Sequence, residues 1–355
     1  MNTIFFYDIN KQIVFNFIFL SLIIIIKSFI SFKSFSLSNE NILLFTEEGI
    51  YKYNLDSKNK YLIKSFDFIL DSYIIEFTEI NKLSNDEGGY IFCKLHKYIY
   101  IISNDGEVLI ETITLNDDSS DFSKVSIAPY KLDNIYYCIL VYINSQKNIK
   151  IIKYKININS PVDNELIIDK INEDNNFGYL DGISCHLIYS SLYQKNILIC
   201  FATNKNDYLI NAIIFDPEDM SILSLKYKNI EINIDSQRSS SFIRSIISYN
   251  KEIFFICQDQ SAFPLRCQLY DFENNIWSDY INLGSSFLGI QSDFNLYLTD
   301  NNEYIVFFNY KYNQYNIHNY DKNFKGKCSY KYQFNKCGNE YSYNNLLYNK
   351  DKLYL

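Results

Sequence analysis

The stretch from Glu252 to Trp277 reads EIFFICQDQSAFPLRCQLYDFENNIW. An apolar run from Ile253 to Cys257 passes through a polar turn containing Pro264 into an alternating run from Arg266 to Phe272. An Asp-Phe-Glu-Asn-Asn turn then leads to Trp277. Short runs rich in β-branched and aromatic residues, separated by turn residues, define a β-hairpin feeding a third strand.

The pattern recurs along the chain. Paired runs occupy 41–56 (NILLFTEEGIYKYNLD), 98–115, 136–156, 196–216, 252–272 and 303–321. Their starts are mostly about 50–60 residues apart, with one shorter gap, which is the spacing of repeat architectures. Asn104-Asp105-Gly106 reads as a hairpin tip, because its residues tolerate positive φ. A further strand precedes several pairs (KVSIAPYKL at 124–132, GISCHLIYS at 182–190, SFIRSIISY at 241–249, GIQSDFNLYL at 289–298). Another follows some of them (DMSILSLKYKN at 219–229, IWSDYINL at 276–283). Four strands per repeat and no long amphipathic helix predict an all-β fold, a β-propeller of six or seven four-stranded blades over residues 40–355. A pair of β-sandwiches or a β-solenoid is the competing arrangement. Residues 322–355 either complete a ring by pairing with the strand at 41–46 or open a further blade.

The run from Gln268 to Trp277, an aliphatic residue, Tyr270-Asp271, a short turn and a Trp, resembles the third strand of kelch repeats. Phe215-Asp216-Pro217-Glu218-Asp219 and Tyr53-Asn54-Leu55-Asp56 are partial copies. The family's double glycine after its second strand is missing, and Gly88-Gly89 precedes a strand instead. The resemblance implies blade shape only, and no functional residue is carried over from it.

Nearly half of the 355 residues are hydrophobic and 21% are charged, which excludes a disordered chain. The abundance of Tyr, Phe, Ile and Asn is what codon bias in an AT-rich genome produces, so no single residue of these types points to function. A net charge of −8 argues against a nucleic-acid partner, which would require a basic face.

Residues 1–36 contain the apolar run IVFNFIFLSLIIII at 13–26, followed by Lys27 and a Ser/Phe-rich stretch. Fourteen residues match a secretory h-region better than a spanning helix of roughly 20 residues. The segment is therefore expected to be a signal peptide or, if uncleaved, a signal-anchor, which would be the chain's sole link to a membrane. A buried strand is the remaining alternative. No N-x-[ST] sequon occurs despite the many asparagines.

Eight cysteines behind a signal-like segment suggest disulfides. Cys257 and Cys267 flank one hairpin tip almost symmetrically, as do Cys185 and Cys200 around the turn 190–194. Cys328 and Cys337 flank a polar loop, leaving Cys93 and Cys138 as a weaker fourth pair. Free buried cysteines are the alternative. No C-x-x-C occurs and the three histidines are far apart, so no metal or other cofactor is expected.

In a propeller the second-to-third hairpin tips and the connections into the next blade share one end. The connections at 115–121, 171–181 and 233–241 would place Asp117, Asp118, Asp121, Glu173, Asp174, Asp181, Asp235 and Arg238 on one rim. Such a rim suits a cation or a polar ligand such as a glycan, although loops are polar simply because they are wet. Glu173, Asp174, Asn176 and Asp181 lack the spacing of a calcium loop. No P-loop, G-x-S-x-G or repeated S-x-D-x-G-x-x-W turn is present. His96, His186 and His318 read as structural. Arg244 is expected on an inner strand, either in a channel or paired with Asp293. The chain thus reads as a secreted or surface-attached binding or adhesion module with a protein or glycan partner. A glycosidase- or lyase-like enzyme with channel carboxylates and an intracellular scaffold are the alternatives.

Overall fold

A computed structural model describes residues 31–36, 41–46, 48–67, 79–82, 90–95, 98–103, 107–113, 122–133, 135–144, 146, 148–157, 165–172, 180–204, 210–227, 241–248, 253–260, 263–283, 294–298, 303–311, 314–321, 326–333, 347–349 and 352–354. Among them every regular element is a β-strand, and every pairing is antiparallel between neighbours in sequence or nearly so.

The first blade is the meander β1 (Ser31–Ser36), β2 (Asn41–Thr46), β3 (Gly49–Asn54) and β4 (Lys60–Ser65). The second is β5 (Glu79–Lys82), β6 (Ile91–Leu95), β7 (Tyr98–Ile102) and β8 (Val108–Ile113). The third is β9 (Phe122–Leu132), β10 (Ile135–Asn144), β11 (Ile149–Ile156) and β12 (Glu165–Asn172). The fourth is β13 (Leu180–Ser190), β14 (Lys195–Asn204), β15 (Ile210–Phe215) and β16 (Ile222–Tyr227). The fifth is β17 (Ser241–Ile247), β18 (Ile253–Gln260), β19 (Phe263–Asp271) and a broken outer strand, β20 (Ile276–Trp277) plus β21 (Ile281–Leu283). The sixth is β22 (Phe294–Leu298), β23 (Tyr304–Lys311), β24 (Gln314–Tyr320) and β25 (Gly326–Gln333). A hairpin of β26 (Leu347–Asn349) and β27 (Lys352–Tyr354) follows.

The chain divides into two compact units, Met1–Ile75 with Tyr341–Leu355, and Glu76–Glu340. In the first, β2 is flanked by β1 and β3, so neither of its edges is open to a C-terminal strand. The hairpin β26–β27 lies against β1 as a separate sheet. Ser31–Ser36, counted with the leader in the sequence, pairs with β2 as the first strand of its blade. Residues 1–30 lie outside the described residues.

In the second unit the first strand of each blade contacts the first strand of the next, in the succession β5, β9, β13, β17, β22. Radial stacking of four-stranded meanders on their first strands is the construction of a β-propeller, and that is the fold class of this chain. The stacking follows from strand period: alternate residues point to opposite faces, so each blade carries two apolar faces that neighbours must cover. Between the fourth and fifth blades, Ile188, Ile197, Ile199, Phe201, Ile210, Ala212 and Ile214 meet Ile243, Phe254, Ile256, Tyr270 and Phe272. Between the fifth and sixth, Phe255, Cys257, Leu265, Cys267 and Leu283 meet Tyr304, Val306 and Tyr320, with the Phe255 and Tyr304 rings stacked 4.7 Å apart.

Five of the six sequence-marked pairs are second and third strands. The pair at 98–115 is not: Tyr98–Ile102 and Val108–Ile113 are third and fourth strands, and the second-to-third hairpin joins Ile91–Leu95 to Tyr98–Ile102. This displacement explains the one short gap in the repeat spacing.

The aromatic-Asx turn at Asp271 and its two partial copies, at Asn54 and Asp216, share one pattern. Asn54 and Asp271 end third strands and Asp216 directly follows one, and their Oδ1 atoms accept from the backbone N–H of Ser57 (2.8 Å), Glu218 (2.9 Å) and Asn274 (3.0 Å). Four residues after each Asx the chain takes a left-handed conformation, at Lys58 (φ 59°), Met220 (φ 58°) and Asn275 (φ 52°). Asn tolerates that conformation, whereas Lys and Met do so at a cost. Lys58 is exposed, so Lys58→Gly loses no buried contact. It is expected to stabilise the protein by about 0.5–1 kcal/mol. A rise in thermal midpoint is the readout; an unchanged or lower midpoint contradicts it.

Candidate functional site

The three connections assigned to the rim do join fourth strands to first strands: β8 to β9, β12 to β13 and β16 to β17. Asp117, Asp118, Asp121, Glu173, Asp174, Asp235 and Arg238 themselves lie outside the described residues. Of the proposed set only the backbone of Asp181 is placed, at the register break between Leu180 and Gly182 where β13 enters its pairing with β14. Arg244 stands on β17 opposite Cys257, half-buried; Asp293 lies outside the described residues. Among the described residues no group of three His, Cys, Asp or Glu could hold a metal ion. No helix among them is long and apolar enough to cross a membrane.

Two of the expected disulfides are present. Cys185 and Cys200 are direct register partners on β13 and β14, and Cys257 and Cys267 are direct partners on β18 and β19; Cα atoms are 4.1 Å apart in both. All four cysteines are buried. Cys93 and Cys138 are buried and form no disulfide, which corrects the pairing weighed for them. Tyr90 packs edge-on against Tyr136 at 5.3 Å, which turns the even-numbered residues of β6 and β10 toward each other. Cys138 shares that face, but Cys93, by alternation, points to the other side of its blade. Burial pushes the Cys138 thiol well above its usual range. Cys328 lies on β25; its expected partner Cys337 is outside the described residues.

The polar groups that the fold does bring together lie on first strands. Ser126 on β9 accepts from the backbone N–H of Cys185 on β13 at 2.9 Å. Ser184 Oγ on β13 accepts from the Ser245 backbone N–H on β17 at 3.1 Å and lies 2.7 Å from Ser245 Oγ. His186 Nε2 is 2.8 Å from Ser245 Oγ and 3.1 Å from the Ser245 carbonyl oxygen. A carbonyl only accepts, so Nε2 carries the proton. Burial pushes the imidazole down to about 4, against the opposing pull of that backbone hydrogen bond.

A serine within reach of a histidine has nucleophile–base geometry. Here Nε2–H already donates to the carbonyl of the same serine, and Ser245 is only 8% exposed. The arrangement joins three blades rather than presenting a nucleophile, in keeping with the structural role expected for His186.

A second joint lies between the third and fourth blades. Lys153, 6% exposed on β11, donates to the Pro217 carbonyl at 2.6 Å and sits 5.0 Å above the Tyr137 ring, which stacks on Tyr130. Burial lowers its pKa, opposed by the carboxylates of Glu218 and Asp216.

Sequence reasoning missed the opposite ends of the blades, where first-to-second and third-to-fourth hairpins turn. Leu192 (61% exposed) and Tyr189 (55%) stand at the turn between β13 and β14, and Ile276 (60%) begins β20. Ser191 donates to Glu273, which links the first of these turns to the one before β20. Exposed Leu and Ile at hairpin ends carry no motif, and only the structure separates them from core residues.

No family model matches the chain, and no curated protein matches it. Solved structures do. The WD40 domain of SCAP from fission yeast is 11% identical over 81% of this chain, with a TM-score of 0.47, and this chain spans 61% of its length. A fungal lectin from Aleuria aurantia, a six-bladed β-propeller that recognises fucose, is 10% identical over 83% of this chain and 92% of its own, with a TM-score of 0.49. The Dos1 propeller is 10% identical over 89% and 71%, with a TM-score of 0.48. The likeness concerns the fold and nothing else.

Proposed function

We propose that this chain is a secreted or surface-held β-propeller that works as a binding or adhesion module for a protein or glycan partner. The observation that carries the reading is the pair of buried cross-strand disulfides, Cys185–Cys200 and Cys257–Cys267, in two successive blades. Disulfides of this kind persist in oxidising compartments, and the signal-like segment before the first described strand agrees with that route. A rigid stack of blades presents connecting loops at one end and hairpin turns at the other. Loops held on a rigid scaffold are where binding residues concentrate. The rim carboxylates and Arg238 stay the proposed contact set for a polar ligand.

Two measurements test this. Thiols in the native cells are alkylated before lysis, and the full chain is mapped without reduction. Linked peptides for both pairs are expected; alkylated Cys257 and Cys267 would overturn the compartment and favour an intracellular scaffold. The purified chain is then offered a panel of glycans and surface proteins. Saturable retention without product is expected, whereas release of sugar or of an unsaturated product would establish a glycosidase or lyase instead.

A further inference from the structure

We propose that the joint between the first strands of the fourth and fifth blades is an acid-sensitive latch, held closed by neutral His186 on Ser245 and loosened when the imidazole takes up a proton. The inference is independent of the binding reading above.

The geometry comes first. Hydrogen bonds of Ser184 and His186 on β13 with Ser245 on β17 join the two strands across the blades. Around them the interface is apolar. Ile199 stands opposite His186 on β14, the Phe254 ring of β18 lies 5.6 Å away, and Ile188, Ile243 and Ile256 belong to the same cluster.

The titratable groups facing this interface are few. Tyr193 and Tyr270 pack in it, and the Tyr270 phenol donates to Asn275. At its turn end Lys195 pairs with Asp216, and Glu273 accepts from Ser191. Arg244 precedes Ser245 in the chain and points to the opposite face of the strand, as Cys257 does. No described carboxylate is therefore hydrogen-bonded to the imidazole to receive a second N–H.

Protonation leaves Nε2–H as it was and adds a charge and a donor at Nδ1. No acceptor for Nδ1 is found among the described residues. A charge in apolar surroundings without a partner is costly, and moving the ring to water relieves it. That motion gives up the hydrogen bonds to Ser245. The latch joins β13 and β17, the strands into which two fourth-to-first connections lead.

The direction with pH is fixed. The folded imidazole titrates near 4, below an unfolded value of about 6.5. The latch is complete above about pH 6.5 and is lost as pH falls through 4, the closed-to-open ratio dropping by at most roughly 300-fold once pH is below both values.

Trp277, the only tryptophan, packs against this same cluster and stacks on Tyr270 at 4.2 Å, so its emission reports the joint. The full chain is titrated from pH 7.5 to 4 while Trp277 fluorescence and far-UV circular dichroism are followed. A reversible emission change between pH 6.5 and 4, with strand signal retained, is expected in the native protein, and a flat trace in His186→Gln, which keeps a donor but cannot be protonated. The same transition in His186→Gln, or none in the native protein, overturns the latch. If the variant fails to fold, amide exchange of Ser245 in the native protein decides. Protection at pH 4.5 at least tenfold below that at pH 7, after correction for intrinsic rates, supports the latch; equal protection overturns it.

Discussion

Phe254→Ala is expected to destabilise the second unit by about 3–5 kcal/mol, the range for truncating a fully buried phenylalanine. Phe254 has no exposed surface, and its ring lies 5.0 Å from Phe201 in an edge-on contact and 5.6 Å from His186. The residues around it belong to strands of two different blades, so closing the cavity requires one blade to shift against the other. β-sheets resist such a shift, because a blade moves as a hydrogen-bonded whole. The cost should therefore fall toward the upper part of the range. Urea unfolding followed by Trp277 emission measures it; a loss below about 1 kcal/mol would mean that the interface collapses freely and that blade packing here is loose.

The same residues show how far the fold was legible beforehand. Strand period and the recurring hairpin were enough for the blade topology, because an apolar second strand followed by an alternating third strand leaves a repeated mark. The mark failed in the second blade. There Tyr98–Ile102 is the third strand but is as apolar as a second one, and the turn after Leu95 carries no glycine or proline. Register was also readable: cysteines equidistant from a turn must face each other across a hairpin, and Cys185–Cys200 and Cys257–Cys267 do. What could not be read is anything that joins blades. The hydrogen bonds of Ser126, Ser184, His186 and Ser245 span about sixty residues, and each serine looks like any other strand serine in sequence. Lys153 in its setting of Tyr130, Tyr137 and Pro217 is the same case. The rim expectation drew on the order of the connections, which holds, and on side chains that lie outside the described residues.

Removing both disulfides, by Cys185→Ala with Cys200→Ala and Cys257→Ala with Cys267→Ala, is expected to cost about 4–6 kcal/mol in total. The bridges close spans of 15 and 10 residues. In the chain-entropy account a 15-residue loop contributes about 3 kcal/mol and a shorter one slightly less. The two contributions should add, since the bridges lie in different blades and face different interfaces: Cys257 and Cys267 pack against the sixth blade, whereas Cys185 and Cys200 alternate with the residues that meet the fifth. Each pair variant measured alone in urea, against the quadruple variant, checks both the size and the additivity. Burial adds a kinetic consequence. A thiolate reductant cannot reach sulfurs without exposed surface, so the native protein should keep its bridges in millimolar dithiothreitol and lose them only as denaturant opens the blades. Bridges that reduce quickly in the native protein would show that the faces carrying them, the fourth blade against the third and the fifth against the sixth, open readily at neutral pH.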